Sequence, residues 1–182
     1  HAEIVFTGIR LGLYRGRGES GRSADLTGLL RRLADLPGRF RIRLSSLEVT
    51  ETPDRLIALA AETDRVCPHF HIPLQSASDR VLADMGRWYR YADYRDRVRA
   101  IRERLPHAAI TADVLTGFPT EDAAAYDETF RRIEEMALSG LHAFPYSPRP
   151  GTTAAGLKPW PAAVLKERTR RLVDLSEELK AD

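Results

Sequence analysis

Cysteine and lysine are scarce in this 182-residue sequence, which has one cysteine, Cys67, and three lysines beside 25 arginines. A single cysteine excludes an internal disulfide and indicates a reducing compartment. The sequence also lacks an apolar run near the roughly 20 residues of a membrane span, and it shows no signal peptide. These absences predict a soluble, cytoplasmic protein that does not bind a membrane. The formal net charge of only +2 does not indicate a strongly electrostatic nucleic-acid clamp.

Apolar residues are plentiful, at 43% of the sequence, so the chain is able to bury a sizeable core. Its length predicts one domain or part of a larger one. The apolar runs predict five β-strands, each ending in polar residues, at residues 3–7, 40–44, within 66–79, 109–115 and 141–146. Apolar residues at helical spacing predict helices at residues 26–36, from 53, from 78, at 94–105, at 126–136 and from about 161. A Gly/Arg-rich loop is predicted at residues 14–21, and Thr52 is predicted to cap the helix that starts at Pro53.

Strands that alternate with helices through right-handed crossovers form a parallel sheet, so their polar ends share one edge. The fold class we expect is therefore α/β, with a parallel sheet of about five βα units that forms most of a TIM-like partial barrel. Chemistry in such barrels collects at the carboxyl ends of the strands. In this sequence those ends are residues 7–8, 45–46, 75–76, 116–117 and 146–147.

Two histidines on the third predicted strand, His69 and His71, lie two residues apart and face the same side. A histidine pair on a barrel strand is able to hold a metal, and Asp113 is a possible third ligand. A barrel-type metal-dependent hydrolase is therefore one alternative function. Both histidines precede the polar end of the strand by three residues or more, which favours a structural role and no metal. Cys67 fits a small buried hydrophobe better than a nucleophile.

Several residues near the strand ends suit the binding of a small polar ligand. Hydroxyl and carboxylate groups suited to a ribose or an amino acid are offered by Ser45, Ser46 and Glu48. Glycines that allow a backbone to approach a ligand closely are Gly8, Gly12 and Gly117. Arg149, held between two prolines, is able to bind a carboxylate or a phosphate through two parallel hydrogen bonds.

Arginines at positions 87, 90, 95, 97 and 99 are interleaved with Trp88, Tyr89 and Tyr91. This composition resembles an RNA-facing surface, so a non-catalytic RNA-binding fragment is a second alternative function. At helical spacing, the same arginines also form an ordinary polar helix face, which is the interpretation we favour.

Five stretches occur together and in order, at residues 6–12, 43–48, 69–76, 113–121 and 142–152. Together they resemble the methylthiotransferases of the radical S-adenosylmethionine superfamily. The first and last stretches are most similar to the branch that acts on threonylcarbamoyladenosine beside the tRNA anticodon. The resemblance covers nearly the whole chain and implies that the barrel is a radical SAM barrel.

The resemblance also implies cofactors and site residues. In that family one 4Fe-4S cluster splits S-adenosylmethionine to an adenosyl radical, a second cluster supplies sulfur, and tRNA is the substrate. Thr7 and Gly8 would approach the methionine end of the cofactor. Its polar groups would be met by Ser45, Ser46 and Glu48, and the same cavity would be lined by Gln75, Ser76, Asp113 and Gly117.

The sequence departs from the family pattern at Arg10, where a histidine is usual, at Gly86, where an asparagine is usual, and at Ala77 and Thr120, where glycines are usual. A positive φ at Ala77 or Thr120 would cause strain. The Cys-x-x-x-Cys-x-x-Cys loop of the radical-generating cluster is absent from this sequence. We therefore expect residues 1–182 to be a fragment of the catalytic barrel that lacks its first strand, the amino-terminal domain and the carboxyl-terminal RNA-binding domain. Such a fragment should be inactive alone and should self-associate through its exposed first edge strand.

Overall fold

The computed structural model describes residues 2–17 and 23–181. Within these ranges the strands are β1 (Glu3–Phe6), β2 (Arg15–Arg17), β3 (Ser23–Asp25), β4 (Arg41–Leu44), β5 (His69–His71), β6 (Ala109–Thr116) and β7 (Gly140–Pro145). The α-helices are α1 (Leu26–Ala34), α2 (Asp54–Glu62), α3 (Asp79–Asp84), α4 (Tyr91–Arg104), α5 (Ala123–Glu135) and α6 (Ala162–Ala181). The chain divides into a first unit, His1–Ile72 with Asp96–Ile110, and a second unit, Pro73–Arg95 with Thr111–Asp182.

Parallel strand pairing organises the first unit. β1 and β4 are parallel, with Ile4 opposite Ile42, and Ile42 also forms a parallel bridge with Val66. Ala109, at the start of β6, donates its N–H to the Pro68 carbonyl over 2.9 Å. The core side chains of this unit include Leu30, Ile42, Leu44, Leu56, Ile57, Phe70 and Ile72, none more than 3% exposed.

The cap of α1 follows a standard pattern, but the predicted cap of α2 is wrong. The Asp25 side chain accepts the N–H of Gly28 over 2.9 Å and so caps α1. At α2 the Thr52 hydroxyl donates to the Glu48 carbonyl over 3.2 Å, and Pro53 occupies the cap position without a side-chain bond. The Thr52 hydroxyl is used by the preceding 3₁₀ turn, so it does not reach the helix amides.

Part of the predicted loop at residues 14–21 is instead a strand. β2 pairs antiparallel with β3, with Arg15 opposite Asp25, and opposite charges across a pair are stabilising. Residues 18–21 of the predicted loop lie outside the described residues. No sequence pattern predicts this strand pair, because its strands have three residues each and no apolar alternation.

Parallel pairing continues in the second unit, where β6 and β7 run together with Thr111 opposite Gly140. Gln75, beyond the end of β5, forms a parallel bridge with Val114. On α6, the Ser176 hydroxyl accepts the Leu141 N–H over 2.8 Å, which ties this helix to β7. All five predicted strands are thus present, as β1, β4, β5, β6 and β7, although β5 is shorter than its apolar pattern. None of the helices in the described part of the chain is long and apolar enough to cross a membrane.

Candidate functional site

In the first unit, two polar strand ends lie side by side. The Ser45 N–H donates to the Phe6 carbonyl over 2.9 Å, which places the residues that follow β1 next to those that follow β4. Thr7, Gly8 and Ser46 are exposed, whereas Ser45 and Glu48 are half-buried. The five site residues predicted in this unit are Thr7, Gly8, Ser45, Ser46 and Glu48, and they gather at these adjoining ends.

Arg10, which stands where the family has a histidine, pairs with a buried glutamate. Its Nε donates to Glu51 Oε1 over 2.9 Å, and Glu51 is only 8% exposed. Gly12 packs on the same side chain, since a Cβ at Gly12 would lie 2.3 Å from the Cβ of Glu51. Packing against Glu51 therefore explains Gly12 without a ligand.

In the second unit, Gln75 has a left-handed backbone with φ of 63°. Its N–H donates to the Asp113 carbonyl over 2.8 Å, and its own carbonyl accepts the Leu115 N–H over 2.9 Å. A non-glycine residue held in this conformation by two backbone bonds is strained, and such strain often accompanies functional sites. Neither Ala77 nor Thr120, where we considered strain, has a positive φ.

Ser76 and Asp113 engage neighbours within this unit. Ser76 is fully buried, at 0% exposure, and its hydroxyl lies 3.2 Å from that of Thr129. The Asp113 Oδ1 lies 3.2 Å from His142 Nδ1. Ser76 therefore contributes to the packing against α5, and Asp113 contacts the residue opposite it on β7.

Gly117 begins the loop that follows β6. Its φ is +71°, a conformation that favours glycine, and its N–H donates to Glu121 Oε2 over 2.7 Å. Burial raises the pKa of Glu121, while the Gly117 amide and Arg168 oppose this effect. The carboxylate thus folds the loop back on itself.

A cavity of about 600 Å³ opens beside these strand ends of the second unit. Its apolar and aromatic walls include Met85, Leu115, Phe118, Phe144, Tyr146 and Ala154, and its polar groups include Gln75, Asp84, Ser147, Arg149, Thr152 and Thr153. This volume and this mixture of walls match those of small-molecule sites. Gln75 and Arg149 were singled out in the sequence. Tyr146 was named only as a strand end. Phe118 was not singled out, although it lies two residues after β6 and inside a recognisable stretch.

The fold perturbs the ionisation of His69 and Cys67 in the β5 region. Burial lowers the pKa of His69, and the positive charge of Arg43 adds to the effect. Burial also raises the pKa of the Cys67 thiol, and its hydrogen bond to Glu3, with Sγ 3.4 Å from Oε2, contributes in the same direction. A protonated, buried thiol is a poor nucleophile.

Arginines of the candidate RNA surface form ion pairs with the protein itself. Arg97 Nη1 lies 2.5 Å from Asp54 Oδ1, and Arg99 Nη2 lies 3.4 Å from Asp96 Oδ1. These contacts support the polar helix face favoured from the sequence.

Comparison with known proteins identifies the family. The model of the radical SAM superfamily matches residues 4–133. A tRNA-2-methylthio-N(6)-dimethylallyladenosine synthase of Corynebacterium urealyticum is 43% identical over 155 residues, covering 85% of this chain and 29% of that protein. The threonylcarbamoyladenosine tRNA methylthiotransferase MtaB of Bacillus subtilis is 39% identical over 181 residues, covering 98% of this chain and 40% of that protein. The resemblance to methylthiotransferases is thereby confirmed, and relatives of both substrate branches match.

The fold is confirmed by a solved structure, the radical S-adenosylmethionine methyltransferase TsrM from Kitasatospora setae. It superimposes with a TM-score of 0.65 at 16% identity, over 84% of this chain and 29% of that one. The chain spans less than half of the length of these curated relatives. The parallel strand pairs within each unit and the family match over residues 4–133 both indicate the same fold. The chain therefore belongs to the radical SAM superfamily.

Proposed function

We propose that this chain is the cofactor-binding part of an enzyme that transfers a methylthio group to an adenosine of tRNA by radical S-adenosylmethionine chemistry. The names of the relatives support the reaction and the tRNA substrate. The observation that carries the proposal is the cavity of about 600 Å³ at the strand ends of the second unit. We further propose threonylcarbamoyladenosine as the nucleoside, because residues 6–12 and 142–152 most resemble that branch.

S-adenosylmethionine fits the groups that this chain offers. In the first unit, Thr7 and Gly8 would bind its methionine end, and Ser45, Ser46 and Glu48 would bind its polar groups. In the second unit, Gln75 lines the cavity and would bind the cofactor. Ser76, Asp113 and Gly117 lie beside it in the chain fold without lining the cavity, since Ser76 is fully buried and Gly117 packs against Leu165. Leu115 and Phe118 add apolar walls suited to a planar base. Bound S-adenosylmethionine would supply an adenosyl radical on one-electron reduction.

Iron–sulfur clusters do not fit the residues of this chain. Membership of the superfamily implies a 4Fe-4S cluster, and such clusters are held by several cysteine thiolates. Cys67 is the one cysteine of the sequence, it is 3% exposed, and its thiol bonds to Glu3. We propose that both clusters of the parent enzyme use ligands outside these 182 residues, and that the chain alone is inactive.

Titration calorimetry with S-adenosylmethionine tests the cavity. Ala154 lines the cavity and is half-buried. We expect the unaltered chain to give a heat of binding, and we expect Ala154→Trp to fill the cavity and abolish that heat. Val173 on α6 is 43% exposed and does not line the cavity, so Val173→Trp is the matched control and should bind normally. Equal binding by Ala154→Trp and Val173→Trp would exclude the cavity as the cofactor site.

The nucleoside is tested in the parent enzyme. Mass spectrometry of tRNA nucleosides, from cells with and without the parent gene, should show loss of the methylthio group from threonylcarbamoyladenosine. Loss from dimethylallyladenosine instead would keep the reaction class and replace the substrate.

A further inference from the structure

The loop that follows β6, residues 117–121, is held by α6 from within the second unit. Arg168 of α6 donates from Nη1 to Glu121 Oε2 over 2.7 Å and to the Glu121 carbonyl over 2.8 Å. The side chains of Glu121 and Arg168 are 1% and 8% exposed. Glu121 Oε2 also accepts the Gly117 N–H. One buried oxygen thus joins the first residue of the loop to the helix.

Aromatic rings enclose the Arg168 guanidinium. It lies 4.8 Å from the centroid of the Trp160 ring and 5.1 Å from that of Tyr126. The Tyr126 hydroxyl donates to the Arg168 carbonyl over 2.9 Å. The guanidinium therefore has little freedom to leave Glu121, because a cation between aromatic faces is attracted to both.

Trp160, just before α6, and Leu165, in its first turns, contact the rest of the loop. Trp160 Nε1 donates to the Phe118 carbonyl over 3.2 Å, and Phe118 is one wall of the cavity. A Cβ at Gly117 would lie 1.9 Å from Leu165 Cδ2, so the loop backbone packs directly against α6. Charge, hydrogen bonds and packing all act on the short segment that shapes one side of the cavity.

We propose that Arg168 is a positioning residue, which holds the loop of residues 117–121 through Glu121 in the conformation that forms a wall of the cavity. Its effect on S-adenosylmethionine affinity rests on the proposed function, whereas its effect on the loop does not. Without the guanidinium, Glu121 would be a buried carboxylate with one remaining amide donor. Such a group either draws water in or turns outward, and Gly117 and Phe118 would move with it.

Hydrogen exchange followed by mass spectrometry tests the loop directly. In Arg168→Met, the hydrogen-bonded amides of the loop, those of Gly117 and Glu121, should exchange about tenfold faster or more, because hydrogen bonds to charged groups are among the strong ones. Arg168→Lys keeps the charge and one donor, so it should recover part of the protection. The control is Leu172→Ala, since Leu172 is fully buried on the same helix. It should lower the melting temperature without selective exposure of the loop.

Binding of S-adenosylmethionine is measured on the same variants by calorimetry. We expect the Kd of Arg168→Met to rise about tenfold, in keeping with the loss of one charge-assisted contact, and that of Leu172→Ala to stay near the wild-type value. Unchanged loop exchange in Arg168→Met, or an equal increase in Leu172→Ala, would overturn the positioning role. If the unaltered chain binds no S-adenosylmethionine, the proposed function fails, and the exchange data still decide the role of Arg168.

Discussion

The ring of Tyr146 meets the ring of Phe118 edge to face, with centroids 5.4 Å apart and planes inclined at 77°. This geometry is favourable for aromatic pairs, and it holds two walls of the cavity together. The Tyr146 hydroxyl oxygen is buried and has no hydrogen-bond partner among the residues that the structure describes. The ring therefore stabilises the site, whereas the hydroxyl does not.

We expect Tyr146→Phe to leave the free energy of unfolding unchanged or to raise it by about 1 kcal/mol, because a buried unpaired hydroxyl costs about 1–3 kcal/mol. Tyr146→Leu, which removes the edge-to-face pair, should destabilise by at least the roughly 0.5–1.5 kcal/mol that such a pair contributes. Urea denaturation of the two variants is the measurement. A Tyr146→Phe protein less stable than wild type would mean that the hydroxyl has a partner after all.

Gln75→Gly should stabilise the fold and weaken ligand binding. Glycine adopts the left-handed backbone without strain, which should raise the free energy of unfolding by about 1–2 kcal/mol. This gain exceeds the roughly 0.5–1 kcal/mol entropic cost of glycine. The lost amide should weaken S-adenosylmethionine binding, because Gln75 lines the cavity. The matched control is Ala137→Gly, since Ala137 has φ of 48° and is exposed outside the cavity. It should stabilise similarly and bind normally. Denaturation and calorimetry on both variants decide whether strain at Gln75 serves the site.

The fold was predictable from the sequence wherever one strand or helix carries its own apolar pattern. β6, for example, has buried Ala112 and Val114 alternating with half-buried Asp113 and Leu115, and its prediction was correct to one residue. The β2–β3 hairpin lacks such a pattern, since its pairing depends on backbone bonds between short polar strands. Residue spacing likewise does not show whether a threonine hydroxyl bonds to a preceding carbonyl or to a helix amide. The predicted cap at Thr52 was wrong for this reason.

The candidate site was predictable at the strand ends and much less so beyond them. Glu121 and Arg168 are 47 residues apart in the chain, and no local pattern indicates that they pair. The positive φ of Gln75 was missed because sequence rules assign this conformation to glycine first. Tertiary hydrogen bonds to Asp113 and from Leu115 impose it instead.

Acid should weaken the pairing of β1 with β4. Two hydrogen bonds from Arg43, at 2.7 and 3.2 Å, are the main cause that lowers the pKa of Glu3 from 4.5 to about 2. A carboxylate whose pKa is lower in the folded state stabilises the fold at pH values above its unfolded-state pKa. This contribution disappears as the pH falls from 4.5 to about 2. The stability difference between wild type and Glu3→Gln should therefore shrink over that range.

Denaturant titrations at several pH values check this, with Glu62→Gln as control. Glu62 forms an ion pair with Arg31 in which both side chains are more than half exposed, and such pairs contribute little. A difference between wild type and Glu3→Gln that is independent of pH would contradict the assignment to Glu3.

The last prediction concerns the free side of β1. In the described part of the chain β1 pairs with β4 alone, and its Ile4 and Val5 are 44% and 54% exposed. An apolar edge with unpaired backbone groups is a template for another strand, and a charged side chain on the edge opposes such pairing. We therefore expect the chain to self-associate and Val5→Lys to shift it toward the monomer in sedimentation velocity. Leu36→Lys is the control, since Leu36 is 49% exposed but follows α1 and belongs to none of the described strands. If the unaltered chain is monomeric at high concentration, or if both lysine variants dissociate it equally, the edge is not the contact, because only a contact through β1 distinguishes these two positions.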